Sequence, residues 1–509
     1  TDSNVQIVAP LEANYGRLTF SPDGNFIYFY RSDSYQKGSI YRVPVLGGDA
    51  VKLISNAAQS GVTFSPDGKQ IAFKRTYITS SVASILIASA DGSNEREIVK
   101  RAPPEDCFEG SELAWSPDGK RIASSLYTFQ TDKSQLVEIG VEDGSIKPIN
   151  ADNWSEIGRI AWLPDSSGML AIAKSKGTQN EQIYLFAYPG GEARRITNDT
   201  NSYEDLGLTA DGKSLTTLQG TVDLDLYSLS LTGGPPPGDA QARQITHESN
   251  RLYGDNGLAI MPNGRIVYSA YTGGHYSLWS AGADGSDAKR LIEDESSLSD
   301  PVVSPDGKYI VITFWGKGGA IEHIWRMNAD GTGLTQITNG TADGQASFMP
   351  DGKEIVFKNY SDDKGHLRRT SIDGGESRLV LDNDINNPSV SPDGKSILGK
   401  YRTSLDQDFR LAILPLSDAG ADEQKIRYLD SKDFSGAMWM PDGKGVAYGT
   451  EEDGFMNVWY QPLSGGPPKP LTDFKSKFIN EGAFSRDGKT LVLSRGTQSV
   501  DVVLISNFR

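Results

Sequence analysis

Four histidines, His247, His275, His323 and His366, are the only imidazoles in 509 residues. Imidazole nitrogens bind zinc and similar ions at about 2.0–2.3 Å, so a shared metal site requires these four to converge. Two acidic stretches, IEDESSLSD (292–300) and YSDDKG (360–365), offer oxygens, but neither has the D-x-D-x-D-G spacing of a calcium loop. A serine nucleophile needs a G-x-S-x-G elbow between strand and helix, and no such pentapeptide occurs. Four aromatics in or beside polar loop segments, Trp154, Tyr203, Tyr253 and Trp315, have the amphipathic character that is enriched at binding surfaces. Nothing in the pattern calls for a cofactor.

The elements that hold these residues follow from one recurring motif. VTFSPDGKQIAF (62–73) alternates apolar and polar, turns through Ser65-Pro66-Asp67-Gly68-Lys69, and alternates again. Proline presets φ, aspartate suits the next turn position and glycine takes the positive φ, so the stretch is a hairpin. The turn recurs eleven times, with glycines at 24, 68, 119, 168, 212, 264, 307, 352, 394, 443 and 488. Each period adds a strand such as ASILIAS (83–89), a glycine turn such as ADGSN (90–94) and a short strand such as EREIVK (95–100). Four strands per period of about 46 residues, with no helical stretch, specify a β-propeller blade. The expectation is an all-β chain of eleven four-stranded blades, each burying its apolar faces against its neighbours.

Most propellers have four to eight blades, so two rings are favoured over one large ring. The boundary would fall near 198–203 (four plus seven) or 246–254 (five plus six). GGPPPGDAQ (233–241) reads as an insertion between third and fourth strands. The eleventh repeat ends after strands LVLSR (491–495) and DVVLIS (501–506) without a fourth. Val5-Gln6-Ile7-Val8 is a surplus strand that would complete a blade. In these terms His247 ends a fourth strand, His275 lies in or beside a loop after a second strand, and His323 and His366 fall in or near third strands. Those positions argue against convergence. Trp115, Trp162 and Trp439 precede turns and belong to the core, whereas the eleven turn motifs need no further role because the turn itself uses their aspartates.

Fifty basic and 66 acidic residues leave a net charge of −16. Such a surface repels phosphate backbones and anionic lipids, which excludes nucleic acid as a natural partner. Cys107 is the sole cysteine, so no intrachain disulfide forms. No apolar run is long enough to span a membrane, and the first residues do not resemble a signal peptide.

The strand–SPDGK–IAF pattern, followed by a strand ending near DG and then RxIT, resembles the TolB-type propeller repeat over essentially the whole chain. LTADGKSLTTLQ (208–219), HIWRMNADGTGLTQIT (323–338) and DVVLISNFR (501–509) are similar to the C-terminal propeller region of bacterial membrane-anchored Ser/Thr protein kinases. The kinase motifs themselves are absent. The resemblance implies an extracytoplasmic, non-enzymatic binding or sensing module that recognises a protein, peptide or envelope glycan through its loop face. Two other functions accompany similar propellers. One is a metal-dependent carbohydrate lyase using the propeller histidines; the other is the propeller half of a prolyl-oligopeptidase-type peptidase.

Overall fold

A computed structural model describes residues 7–8, 14–32, 38–57, 60–77, 82–102, 106–128, 133–150, 154–175, 180–199, 201–247, 252–272, 275–292, 298–314, 322–340, 342–360, 365–404, 407, 409–429, 435–452 and 454–508. Among them there is no α-helix, only two 3-10 turns, Asp239–Gln241 and Glu423–Lys425. Repeats one to four and six to ten each form an antiparallel set of four main strands in sequence order, with single residue pairs, Ser134 with Trp154 and Leu224 with Leu252, bridging neighbouring sets. In the second repeat these are Thr63–Phe64, Gln70–Tyr77, Val82–Ser89 and Arg96–Arg101. Sheets stack face on face, the architecture of a multi-blade β-propeller.

The turn motif works both within and between sheets. Ser65 Oγ donates to Asp67 Oδ1 (2.6 Å), the Lys69 N–H donates to the same oxygen (3.1 Å), and the Gln70 N–H donates to Ser65 Oγ (3.0 Å). The same network recurs at Ser304–Asp306, Ser391–Asp393 and Ser485–Asp487. The serine hydroxyl is the main influence holding Asp67 below the usual carboxylate range. Seven of the eleven turn glycines then sit against the turn proline of the preceding sheet. A Cβ on Gly307 would lie 3.0 Å from Pro262, and one on Gly394 would lie 3.2 Å from Pro350. A second glycine, between third and fourth strands, approaches the preceding sheet's backbone even more closely. A Cβ on Gly144 would come within 2.1 Å of Ile98 O, and one on Gly191 within 2.0 Å of Ile149 O. Tryptophans clip neighbouring sheets together: Trp162 Nε1 donates to Ala114 O (3.0 Å) and Trp439 Nε1 to Ser389 O (2.9 Å). With Trp115, both lie in the core, as the sequence implies.

The chain divides into two compact units, residues 1–220 with 500–509, and residues 221–499. Both crossings occur inside 17-residue strands, Ser214–Ser230 and Thr490–Ser506. The sequence reading separated 491–495 from 501–506; the structure makes them one strand, because neither Gly496 nor its neighbours form a turn. Repeats five and eleven consequently exchange strands. In the first unit, Ser202–Leu208 pairs with 214–220, which neighbours 500–506; Ser214 and Ser506 hydroxyls meet at 3.0 Å. In the second unit, Phe478–Phe484 pairs with 491–496, beside 224–230 and Arg243–Gln244. The 233–241 insertion also does more than lengthen a turn: it brings Asp239 to the buried Arg495 (2.8 Å), whose guanidinium lies 3.4 Å from the Phe474 ring centroid.

The second unit closes on itself. Six apolar clusters join its six sheets in a circuit, the last joining Leu226 and Val492 to Tyr253 and Tyr268. The first unit has five sheets and four such clusters between them. A further cluster, Ile27, Phe29, Tyr41 and Val43, lies on the outer face of its first sheet, with Ile7 and Val8 packed against it. Ile7 and Val8 are not in a strand, and Val5 and Gln6 lie outside the described residues.

Gly307 and Gly264 separate turn strain from sheet nesting. Both have positive φ (74° and 85°), but nothing lies within 4 Å of a Cβ on Gly264. Gly264→Ala should cost about 1–2 kcal/mol from left-handed strain alone. Gly307→Ala should cost measurably more in denaturant unfolding, and equal costs would remove the proline–glycine contact from the packing scheme.

Candidate functional site

The first strands of the second unit each carry a bulge where pairing with the second strand slips. It falls between Ser299 and Val302, Gly344 and Ser347, Asn386 and Ser389, and at matching places in the other sheets. The residue seven before the turn glycine takes a left-handed φ there: Gly257, Asp300, Gln345, Asn387 and Gly436. A bulge breaks the ladder and re-aims side chains. At Asp300 (φ 52°) it leaves a half-buried carboxylate that accepts from Ser299 Oγ (2.9 Å).

Charged groups collect around this level. Asp343 opens its first strand, accepts from the Gly340 N–H (2.8 Å) and from Asn359 Nδ2 (2.7 Å), and is almost fully buried. Asp384, the corresponding residue of the next sheet, is held by Lys358 Nζ (2.9 Å) and by Arg402 through NH2 (2.7 Å) and Nε (2.9 Å). All three are buried. Lys358 also donates to Asn386, and Gly365 is required beside it, because a Cβ there would lie 1.8 Å from Lys358 Cε. Burial pulls Lys358 below the usual lysine range, and Asp384 opposes that pull. Glu322 and Glu481 both feel Asp300, and the lysines that draw them down, Lys358 and Lys400 respectively, count for less than burial. Burial, reinforced by Asp300 and Asp343, pushes Glu322 up to about 7. Burial, reinforced by Asp300 and Asp255, pushes Glu481 up to about 7. Asp255 in turn accepts from the Tyr276 hydroxyl. The arrangement is a half-buried cluster of carboxyls beside a triad in which Lys358 and Arg402 both pair with Asp384. It can hold protons near neutral pH or attract a positive group.

The aromatic residues singled out from sequence are not part of it. Trp154 is buried edge-on against Tyr184 (4.6 Å) and Phe186 (5.4 Å). Tyr203 is buried with its hydroxyl on Asp199 (2.6 Å), and Tyr253 is buried against Tyr268 (6.0 Å). All three fill space within the sheet stack, so the expected exposed surface does not form from them. Trp315 lies outside the described residues.

His247 is exposed, three residues beyond the fourth strand Arg243–Gln244. His275, His323 and His366 each begin a third strand, in three successive sheets. The sequence reading put them in different layers; strand register gives them one. Yet His323 Nδ1 faces Asp343 (3.7 Å), whereas His366 Nδ1 faces Asp382 (3.0 Å). These two imidazoles are directed to different carboxylates, and no group of three or more metal-ligating side chains occurs among the described residues. The carboxyl cluster escaped sequence analysis because its members come from separate repeats; the available signal covered only Asp300 and Glu481, each seven before a turn glycine.

No family model matches the chain. It is 25% identical over 262 residues to the uncharacterized protein Atu1656 of Agrobacterium fabrum, covering 48% of this chain and 83% of that protein. It is 28% identical over 213 residues to the uncharacterized peptidase YuxL of Bacillus subtilis, covering 40% of this chain and 30% of the peptidase. Among solved structures it is similar to a putative TolB from Agrobacterium tumefaciens, with 18% identity, a TM-score of 0.25, and coverage of 66% of this chain and 95% of that one. No helix among the described residues is long and apolar enough to cross a membrane.

Two outcomes test the electrostatics. Glu322 and Glu481 titrate near 7 when folded, against a usual 4.5. The folded unit therefore binds more protons than the unfolded chain between those values, and its stability should fall as pH rises from about 4.5 to 7. Urea unfolding across that window should show this slope, and the Glu322→Gln, Glu481→Gln double variant should flatten it. Arg402→Met should destabilise by about 3–5 kcal/mol, because it removes one of the buried cations that hold Asp384.

Proposed function

We propose that this chain is a non-enzymatic binding propeller that recognises a protein or peptide through the end of the second unit at which the first strands begin. The observation that carries this reading is the gathering of Asp255, Asp300, Glu322, Asp343 and Glu481 on or beside neighbouring first strands, with Lys358 and Arg402 both held by Asp384. An arriving ammonium or guanidinium group would relieve the mutual repulsion of these carboxyls and would be favoured over an anion or a neutral sugar. The preferred ligand is thus a basic peptide segment or a free amino terminus. Affinity comes from a rigid scaffold and preplaced charge, without any reactive group. The TolB-type repeat pattern supports an extracytoplasmic setting for such a module.

Binding should be linked to protons. A cation bound at the pocket lowers the pKa of Glu322 and Glu481, so association near pH 7 should release protons. Calorimetric titration of lysine-rich and glutamate-rich peptides in buffers of different ionisation enthalpy measures this directly. The basic peptide should bind with salt-sensitive affinity, and Glu322→Gln with Glu481→Gln should weaken it about tenfold and abolish the proton release. Equal binding of acidic and basic peptides, or unchanged affinity in the double variant, would refute the reading. Flanking coding sequence bearing a G-x-S-x-G domain would instead make the chain the propeller of a peptidase.

A further inference from the structure

The turns between third and fourth strands divide the second unit in two. In repeats six to nine, a glycine of that turn presses on the preceding sheet at its fourth strand. A Cβ on Gly285 would lie 2.5 Å from Ile245 O, and one on Gly331 or Gly420 2.8 Å from Leu291 O or Val380 O. One on Gly374 would lie 3.4 Å from Ile337 O. Two neighbouring sheets depart from this rule, that of repeat ten and the exchanged sheet packed on it. Their turns carry Gly465-Gly466-Pro467-Pro468 and Gly233-Gly234-Pro235-Pro236, the only Gly-Gly-Pro-Pro runs in the chain. These four glycines have positive φ (98°, 100°, 73° and 96°), and nothing lies within 4 Å of a Cβ on any of them. They do not serve sheet nesting. Pro235, Pro236 and Pro467 are exposed, within described stretches that run unbroken over 201–247 and 454–508.

The longer run is anchored on both sides. Before it, the Leu231 N–H donates to Lys489 O (2.8 Å). After it, the Asp473 N–H donates to Pro237 O (3.0 Å), and Asp239 accepts from the Lys475 N–H (2.8 Å), Ser476 Oγ (2.9 Å) and Arg495 NH2 (2.8 Å). Proline fixes φ near −65°, and consecutive prolines favour the extended polyproline II conformation. Pro235 and Pro236 have no N–H, so a β-ladder cannot run along them. They offer pyrrolidine rings and carbonyl oxygens instead. The complement of such a surface is a groove of tryptophan and tyrosine, whose rings pack on proline and whose N–H and O–H groups donate to its carbonyls.

We propose that the two Gly-Gly-Pro-Pro turns, on adjacent sheets, form a docking surface for a partner protein that carries an aromatic-lined polyproline groove. The anchors around 233–236 remove much of the ordering cost that a free proline-rich peptide meets on binding. Third strands run in the same direction as first strands, so these turns lie at the end of the strands opposite the carboxyl cluster. The two assignments are independent, and either can fail without the other.

The test is surface plasmon resonance of the full chain over immobilised SH3, WW and EVH1 domains, whose aromatic grooves take extended proline segments. We expect saturable binding to at least one of them, weakened about tenfold in the Pro235→Ser, Pro236→Ser, Pro467→Ser triple variant. Leu379→Ser, at a 50%-exposed fourth-strand residue of repeat eight, should bind like the wild type. A synthetic GGPPPGDAQ peptide, which needs no fold, should bind the same domain about tenfold more weakly than the chain. Four outcomes would overturn the proposal: no saturable binding to any of the domains, undiminished binding by the triple variant, a peptide that binds as tightly as the chain, or a concentration-dependent dimer that the triple variant abolishes. The third would show that the fold does not present the prolines, and the fourth would assign the turns to a second copy.

Discussion

A four-stranded sheet with apolar residues on both faces and no helix to cover them can be buried only by another such sheet. Repeated nine times by whole repeats and twice by shared strands, that requirement organises this protein. The contact is specific, because each sheet presents fixed small features to the next. The turn proline of one sheet meets the turn glycine of the next, as with Pro350 and Gly394, and a second glycine lets a fourth-strand carbonyl such as Ile149 O approach where no Cβ would fit. The spacing of the glycines therefore records the stacking of sheets as well as the geometry of turns.

Such a stack must end or close. The second unit closes through strands borrowed from repeat five, with Ser494 Oγ donating to Tyr253 O (2.6 Å) where the circuit meets itself. The same exchange places 500–506 in the first unit and removes Arg243–Gln244 from it. A single topological device thus explains both the completed circuit of the second unit and the mixed origin of the first unit's fifth sheet. It also explains the lengths of Ser214–Ser230 and Thr490–Ser506: a strand that serves as second strand in one unit and third in the other cannot contain a turn.

Polar chemistry is set by the same architecture. The turn aspartates are consumed by their own serines and backbone N–H groups, so their abundance says nothing of function. The carboxyls that matter sit where bulges interrupt the first strands and sheets crowd together. Asp300 is aimed by a left-handed backbone, Asp343 and Asp384 by their place at strand starts, and Glu322 and Glu481 by burial beside them. Lys358 and Arg402 both pair with Asp384, and burial outweighs the pull of Lys358 on Glu322 and of Lys400 on Glu481, which is the physical basis of the binding function proposed.

Much of the architecture was legible in the residues because it rests on local rules. Pro-Asp-Gly turns, period-two alternation and the absence of helical periodicity specify four-stranded sheets without reference to distant contacts. The burial of Trp115, Trp162 and Trp439 follows from the same alternation. What local rules could not show is which repeat supplies which strand. LQGTVDLDL and SRGTQSVDV look like two strands each until pairing with one another keeps them continuous. Nor could they distinguish exposed from buried aromatics: Trp154, Tyr203 and Tyr253 sit in polar sequence but fill gaps created by the neighbouring sheets. The carboxyl pocket belongs to that second category, since Asp255, Asp300, Glu322, Asp343 and Glu481 are scattered over more than 220 positions and only the circuit of first strands makes them neighbours. Sequence determined the nine sheets built from adjacent residues; tertiary structure alone decided the strand exchange, the closure of the second unit and the site, since these depend on contacts between distant repeats.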